Sequence, residues 1–232
     1  MFKKIFIVIT LIFTLLSCKE NTKNLKVTGT IKGVQKATLY LEKIKDTTLV
    51  KVDSITLYGT ENFKLQDDIE SPEMYFLSVS SSDKILPFFA EKGNISIKTD
   101  LKTFSYKPEI KGSKNQEILD TYNDYIQKFN NKRLDLLKEK FDAIKNKQSE
   151  KVTEIEKKIK GIDKRQYYYT LNFCFKNANY SVAPYLTLSE LYNLNTSYLD
   201  TIINAMPESV KKGKYGIKLI NYVEKIKKEE KK

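Results

Sequence analysis

Histidine and tryptophan are absent from this sequence of 232 residues, and the two cysteines, Cys18 and Cys174, lie far apart. Without histidine, a Ser-His-Asp or Cys-His nucleophilic site and a histidine-ligated metal site are excluded. Without a Cys-x-x-Cys pair, the chain cannot run a dithiol–disulfide cycle by itself. None of the eight glycines is followed by the Lys-Ser or Lys-Thr of a phosphate-binding P-loop. The composition therefore predicts a protein that is not an enzyme and has no metal and no cofactor.

Arginine is scarce although the chain is basic. Forty-one lysines and arginines against 29 acids give a formal net charge of +12, yet only Arg133 and Arg165 are arginines. A net positive charge favours binding to nucleic acid or to anionic lipid. Arginine, however, is the residue that contacts phosphates and bases in a bidentate manner, and the lysines here are spread along the whole sequence. We interpret them as solvated side chains and expect no nucleic-acid partner.

The first 17 residues have the features of an export signal. Lys3 and Lys4 precede an apolar run over residues 5–16, which is shorter than the roughly 20 residues that span a bilayer. The run ends in Leu15-Leu16-Ser17-Cys18, which resembles a bacterial lipobox. The resemblance implies cleavage before Cys18 and attachment of lipid, including palmitate, to this residue. The alternative is an ordinary N-terminal membrane anchor with a cysteine at its end by chance.

Residues 18–24 are predicted to be a tether between the lipid and the folded part. This segment is polar and has no apolar pattern. Two or more acyl chains are enough for stable membrane binding. Lys19 stands where some lipoproteins retained at the inner membrane have aspartate. We therefore expect a lipid-anchored protein of the cell envelope that faces the periplasm, at the outer rather than the inner membrane.

Residues 25–111 have the pattern of a β-rich domain. Apolar residues alternate with polar ones in short runs, and turn residues such as Gly33, Gly59 and Gly93 separate the runs. Short strands at regular spacing predict an antiparallel β-sandwich or a barrel-like domain.

Residues 112–232 change to a helical period. Apolar side chains recur at threes, fours and sevens, at Ile118, Tyr122, Tyr125, Phe129, Leu136, Phe141 and Ile144. A turn over residues 148–150 and a second periodic segment that runs to Phe175 predict a long helical hairpin. Ser181 and Ser197 are predicted to cap two shorter helices, Pro207 to open a further helical turn, and residues 217–226 to form a final helix. The predicted fold class is α+β, with the strands first and the helices second.

Several segments of the mature chain resemble a known family. They are residues 27–31 (VTGTI), 53–55 (DSI), 59–63 (GTENF), 72–75 (PEMY), 89–95 (FAEKGNI), 110–115 (IKGSKN), 179–186 (NYSVAPYL) and 214–216 (KYG). They are similar to the domain of unknown function that precedes the thioredoxin module of lipid-anchored, TlpA/ResA-like thiol:disulfide oxidoreductases. That module would follow at about Lys232, where the present sequence ends, so no catalytic residue of the family can be assigned to this chain.

Three functional hypotheses follow. The first is a non-catalytic, membrane-anchored module that binds another envelope protein or an unknown ligand. The second is an accessory subunit that docks a separate thioredoxin-like protein. The third is an enzyme that uses carboxylates such as Asp53, Glu73 or Glu91, which requires them to converge in a pocket.

Cys174 and a run of three tyrosines are the remaining candidate sites. Phe173 and Phe175 flank Cys174, which predicts a buried, unreactive thiol rather than a redox residue. Tyr167, Tyr168 and Tyr169 form a candidate interaction surface, since tyrosine is enriched where one side is apolar and the other is wet. The alternative is that all three tyrosines pack in the core.

Overall fold

The computed structural model describes residues 23–80 and 82–230. The predicted signal peptide and Cys18 lie outside these residues. Within the described ranges there are eight strands in two four-stranded sheets. The strands are β1 (Leu25–Lys32), β2 (Lys36–Lys45), β3 (Thr48–Tyr58), β4 (Asn62–Asp67), β5 (Glu73–Val79), β6 (Ile85–Ala90), β7 (Gly93–Asp100) and β8 (Glu109–Lys111).

The two sheets pack on a common apolar core. Their strand orders are β4-β1-β7-β8 and β3-β2-β5-β6. The period-two alternation turns side chains such as Val27 of β1, Leu41 of β2 and Leu77 of β5 into this core, where each is fully buried. The α+β class is therefore as predicted, with two sheets in the first half of the chain. In the described residues the sheets do not close into a barrel.

One strand pairing departs from the predicted antiparallel arrangement. β1 and β7 pair in parallel, with Leu25 opposite Gly93 and Lys32 opposite Asp100, whereas the other pairings in both sheets are antiparallel. A parallel pair needs a long crossover connection. Here the whole of β2 to β6 lies between the two strands. Alternation along a single strand contains no information about the direction of its neighbour, so the sequence pattern could not distinguish the two cases.

In the part of the chain that the structure describes, six helices follow the strands. They are α1 (Lys114–Lys145), α2 (Ser149–Lys176), α3 (Val182–Glu190), α4 (Thr196–Ala205), α5 (Glu208–Lys211) and α6 (Lys214–Glu229). α1 and α2 form the predicted long hairpin, joined by residues 146–148. Gly161 does not interrupt α2, which runs continuously to Lys176.

Two predicted helix caps are wrong. Ser181 has a right-handed helical backbone and makes no capping hydrogen bond, because the chain already turns helically before α3. α4 is capped by the side chain of Asn195, which accepts a hydrogen bond from the backbone N–H of Ser197 at 2.9 Å. Ser197 therefore lies inside the first turn. The last helix also begins earlier than predicted, at Lys214, directly after Gly213.

The helices pack on the outer face of the second sheet. Met74 of β5 and Phe89 of β6 point away from the inter-sheet core and join a second apolar cluster with residues of α1 to α6. The Phe89 ring lies 5.7 Å from the Tyr185 ring and 5.9 Å from the Tyr215 ring. The backbone N–H of Phe89 donates to Gln116 Oε1 at 2.6 Å. The protein is thus built in layers, with the second sheet between the first sheet and the helices.

Candidate interaction surface

The structure separates the three consecutive tyrosines of α2. Tyr167 and Tyr168 are 37% and 47% exposed, whereas Tyr169 is half-buried. The Tyr169 ring stacks on Tyr122 and Tyr125, with centroid distances of 6.2 and 5.1 Å. Burial, and secondarily the neighbouring Tyr125, raise the pKa of Tyr169 to about 12. Successive positions on a helix point about 100° apart, so one residue of the three packs inward while two face solvent.

A further tyrosine extends the exposed aromatic area. Tyr198 of α4 is 50% exposed. Burial, followed by the nearby Tyr168 and Tyr198, raises the pKa of Tyr167. We call Tyr167, Tyr168 and Tyr198 the tyrosine surface. Tyr198 is not identifiable from the sequence, because its proximity to α2 depends on helix packing rather than on spacing along the chain.

A groove of about 280 Å³ borders the tyrosine surface and contains Arg133. The guanidinium donates from Nε and from one terminal nitrogen to Asp163 Oδ1, at 2.9 and 2.7 Å. It also donates to Gln166 Oε1 at 2.7 Å. Arg133 thereby links α1 to α2 and is held beside Tyr167. Tyrosine and arginine are among the residue types most enriched at the centres of protein interfaces.

The three carboxylates considered for catalysis do not converge. Asp53 accepts hydrogen bonds from the backbone N–H groups of Ser54 and Gln66, at 2.8 and 2.7 Å. Glu91 accepts from the Lys114 N–H at 2.5 Å, at the start of α1. Glu73 forms an ion pair with Lys214 of α6. Each carboxylate is engaged in a separate structural contact, so the geometry does not assemble the acid pair that the enzyme hypothesis requires.

A different set of carboxylates lines a cavity between the second sheet and the helices. This cavity, of about 550 Å³, is bordered by Asp120 and Asp124 of α1 and by Glu190 at the end of α3. Partial burial of its carboxyl group, and then repulsion from Asp124, raise the pKa of Asp120, while a hydrogen bond from Gln116 Nε2 at 2.7 Å opposes the shift. Asp120 and Asp124 are one helical turn apart, which the helix prediction could have identified. Glu190 joins them only through tertiary packing.

Cys174 is buried, as predicted. None of its surface is exposed, and burial raises its pKa to about 12. The thiol is therefore protonated and enclosed, the state in which a cysteine is inert.

The described residues contain neither a membrane-spanning helix nor a metal cluster. No helix within 23–80 and 82–230 is both long enough and apolar enough to cross a bilayer. In the same ranges, no group of three or more His, Cys, Asp or Glu side chains is arranged to hold a metal ion.

Comparison with known families gives one match. Residues 25–119 match the model of the family described as "Domain of unknown function (DUF4369)". The matched segment covers β1 to β8 and the first turns of α1. A search of curated proteins and a search of solved structures each returned no match. The predicted resemblance to a domain of unknown function is thus confirmed for residues 25–119.

Proposed function

We propose that this protein is a non-catalytic lipoprotein of the cell envelope that binds a partner through the tyrosine surface. The observation that carries the proposal is the exposure of Tyr167, Tyr168 and Tyr198, the first of which lines the groove of Arg133. Tyrosine provides a large contact area and loses little conformational entropy when it binds, because its side chain has few rotatable bonds. The partner is another envelope protein or a ligand presented there.

The packing of α2 supports this role for the exposed tyrosines. Tyr169 is fixed on the inner face of α2 by aromatic contacts with α1. Arg133 connects the same two helices by hydrogen bonds. Tyr167 and Tyr168 therefore extend from a helix whose position is fixed before binding. A preorganised surface loses less conformational entropy when it binds a partner.

The anchor is tested at Cys18. We expect that Cys18→Ala abolishes incorporation of labelled palmitate and blocks cleavage of the signal peptide, because the sulfur that carries the lipid is absent. Labelling with radioactive palmitate and electrophoretic mobility measure the two effects. Cys174→Ala is the matched control and should keep the label. A Cys18→Ala chain that still takes up palmitate would refute the lipobox interpretation.

The binding role is tested at Tyr168. We expect that Tyr168→Ala lowers capture of the membrane partner about tenfold in a crosslinking pull-down from native membranes. The free energy of unfolding should change by no more than about 0.5 kcal/mol, since the side chain lies at the surface. Tyr58→Ala is the control, because Tyr58 is 68% exposed on β3, away from the tyrosine surface. Equal capture by both variants would contradict the proposal.

A second candidate function is that of an accessory subunit for a separate thioredoxin-like oxidoreductase. It is supported by the sequence resemblance described above, which is to the domain that precedes a thioredoxin module. On this hypothesis, the protein whose capture depends on Tyr168 contains a Cys-x-x-Cys pair. Mass spectrometry of the captured protein distinguishes the two candidates.

A further inference from the structure

The distal part of α1 exposes a continuous apolar stripe. Leu134, Leu137, Phe141 and Ile144 are 52%, 46%, 68% and 56% exposed. Their spacing of three, four and three residues places them on one face of the helix. We call these four residues the hairpin stripe. The helical period groups Phe141 and Ile144 with Ile118 and Tyr122 on one apolar face, whereas in the structure the latter two are buried and the former two are exposed.

The hairpin stripe is separate from the contact between α1 and α2. That contact is made by side chains such as Ala143 of α1 and Ile155 and Ile162 of α2, each of which is buried. A two-helix hairpin can bury only one seam, so the stripe has no partner among the described residues. Leu134, Leu137 and Phe141 line a shallow concavity of about 480 Å³. Exposed apolar patches of this kind mark interaction sites.

One border of the stripe alternates in charge. Asp135, Lys138, Asp142 and Lys145 follow one another along the helix, and all four are exposed. Lys138 makes only a loose contact with Asp135, at 3.9 Å, with both side chains about 70% exposed. Within the described ranges, Asp142 and Lys145 form no ion pair through their side chains. These four charges are therefore available to an incoming surface.

This pattern complements itself when it is reversed. When a second α1 runs antiparallel to the first, with the two-fold axis between residues 139 and 140, Lys138 of each copy lies within one residue of the position opposite Asp142 of the other. Asp135 and Lys145 are related in the same way. This alignment also brings Leu134 to within one residue of the position opposite Ile144, and Leu137 to within one residue of the position opposite Phe141. A parallel alignment in register would instead oppose like charges, which is destabilising.

We propose that the hairpin stripe is a self-association surface, and that a second copy of this chain packs α1 against α1 in an antiparallel, two-fold arrangement. The two hairpins then form a four-helix bundle, in which each stripe is buried against the other. An anionic bilayer suits the surface less well. Helices that bind such bilayers have polar faces rich in lysine and arginine, whereas this border has as many aspartates as lysines. The proposal does not depend on the function of the tyrosine surface.

Charge reversal in the full-length chain tests the proposal. The acidic variant is Lys138→Glu with Lys145→Glu, and the basic variant is Asp135→Lys with Asp142→Lys. Two differently tagged copies are co-expressed, each with a photoreactive benzophenone side chain in place of Asn131, which lies beside the stripe. Irradiation of isolated membranes then measures crosslinking between the two tags.

We expect the unmodified pair to crosslink. Pairing the acidic or the basic variant with itself should lower the yield about tenfold, because like charges then face each other. Pairing the acidic with the basic variant should restore the yield to within about twofold. Phe141→Glu in both copies should also abolish crosslinking, because it places a charge in the apolar stripe. Lys132→Glu with Lys151→Glu is the control, which has the same change in charge outside the border and should have no effect.

Two results would overturn the proposal. The first is the absence of crosslinking between unmodified copies, and the second is a yield that does not depend on which variants are combined. Binding of the Cys18→Ala chain to anionic phospholipid vesicles that is lost in Phe141→Glu, without crosslinking between copies, would assign the stripe to the membrane instead. Circular dichroism of each variant confirms that it is folded. None of these variants alters Tyr168, so failure here leaves the proposed function standing.

Discussion

The burial of Cys174 depends on the direction in which it faces rather than on its neighbours in sequence. Phe175 is 48% exposed and Phe173 is only half-buried. Cys174 points into the helical core, close to Thr187 of α3. Cys174 is thus buried as predicted, but the two flanking phenylalanines are not what encloses it. The helix period gives the better argument, since Thr170 and Cys174, four residues apart, are both buried.

This placement predicts a slow thiol. In a Cys18→Ala chain Cys174 is the only thiol. We expect it to react with Ellman's reagent at pH 8 only when the protein opens, because the thiol is enclosed and its pKa is about 12. Addition of guanidinium should make the reaction fast, which serves as the control. Rapid labelling of the native protein would reopen a redox role.

The same pKa shift links Cys174 to stability at high pH. The folded state raises the pKa from the ordinary value of 9.0 to about 12, so it favours the protonated thiol. The resulting stabilisation is fully present below pH 9 and is lost as the pH rises towards 12. Stability therefore does not vary with pH through this group near neutrality, where both states of the chain hold the proton.

At the scale of single elements, β1 can lie close to β7 because one residue of β1, Gly29, has no side chain. Gly29 continues the inward alternation of Leu25, Val27 and Ile31, yet it has no side chain to bury. A Cβ built on Gly29 would lie 1.8 Å from the carbonyl oxygen of Ile97 on β7. The close approach of β1 and β7, the parallel pair, thus requires glycine at this position.

We expect that Gly29→Ala destabilises the protein by about 3 kcal/mol, because the backbones of β1 and β7 must separate to accept the methyl group. Urea unfolding followed by circular dichroism measures the change. Gly161→Ala is the contrasting substitution, since a Cβ there meets no atom within 4 Å. It should stabilise α2 by about 0.5–1 kcal/mol. A neutral Gly29→Ala would show that β1 is not held closely against β7.

Local patterns predicted the elements well but not their tertiary relations. The alternation of apolar and polar residues in the first half predicted the strands, and the helical period in the second half predicted the helical hairpin; together they predicted the fold class. Both patterns are readable in the sequence because they reflect burial on one face of an element. The parallel pairing of β1 with β7, the convergence of Tyr198 on Tyr167, and the cavity acid Glu190 depend on contacts between distant segments. The exposure of Phe141 was missed because an apolar residue at helical spacing does not indicate which face is covered.

At the scale of the whole molecule, β5 and β6 connect the two halves. Lys214 of α6 forms an ion pair with Glu73 of β5 and donates a hydrogen bond to the carbonyl oxygen of Ile44 at 2.6 Å. The backbone N–H of Met74 donates to the Tyr215 hydroxyl at 3.1 Å. Phe89 is fully buried between the sheet and the helices. A strand buried on both faces ties each side to the other, so we expect the sheets and helices to unfold together.

Tyr215→Phe tests this coupling. The substitution keeps the ring against Phe89 and Tyr185 and removes only the hydroxyl that accepts from the Met74 N–H. The N–H would remain in a largely buried site without an acceptor, which lowers the free energy of unfolding by about 1–3 kcal/mol.

Native-state hydrogen exchange followed by mass spectrometry then measures the protection of the sheets and of the helices separately. We expect the slowest-exchanging amides of β1 and of α2 to lose the same protection, because both exchange through one global opening. Tyr58→Phe, at an exposed tyrosine, should change neither. Protection lost in the helices alone would mean that the two halves unfold independently and that β5 and β6 do not couple them.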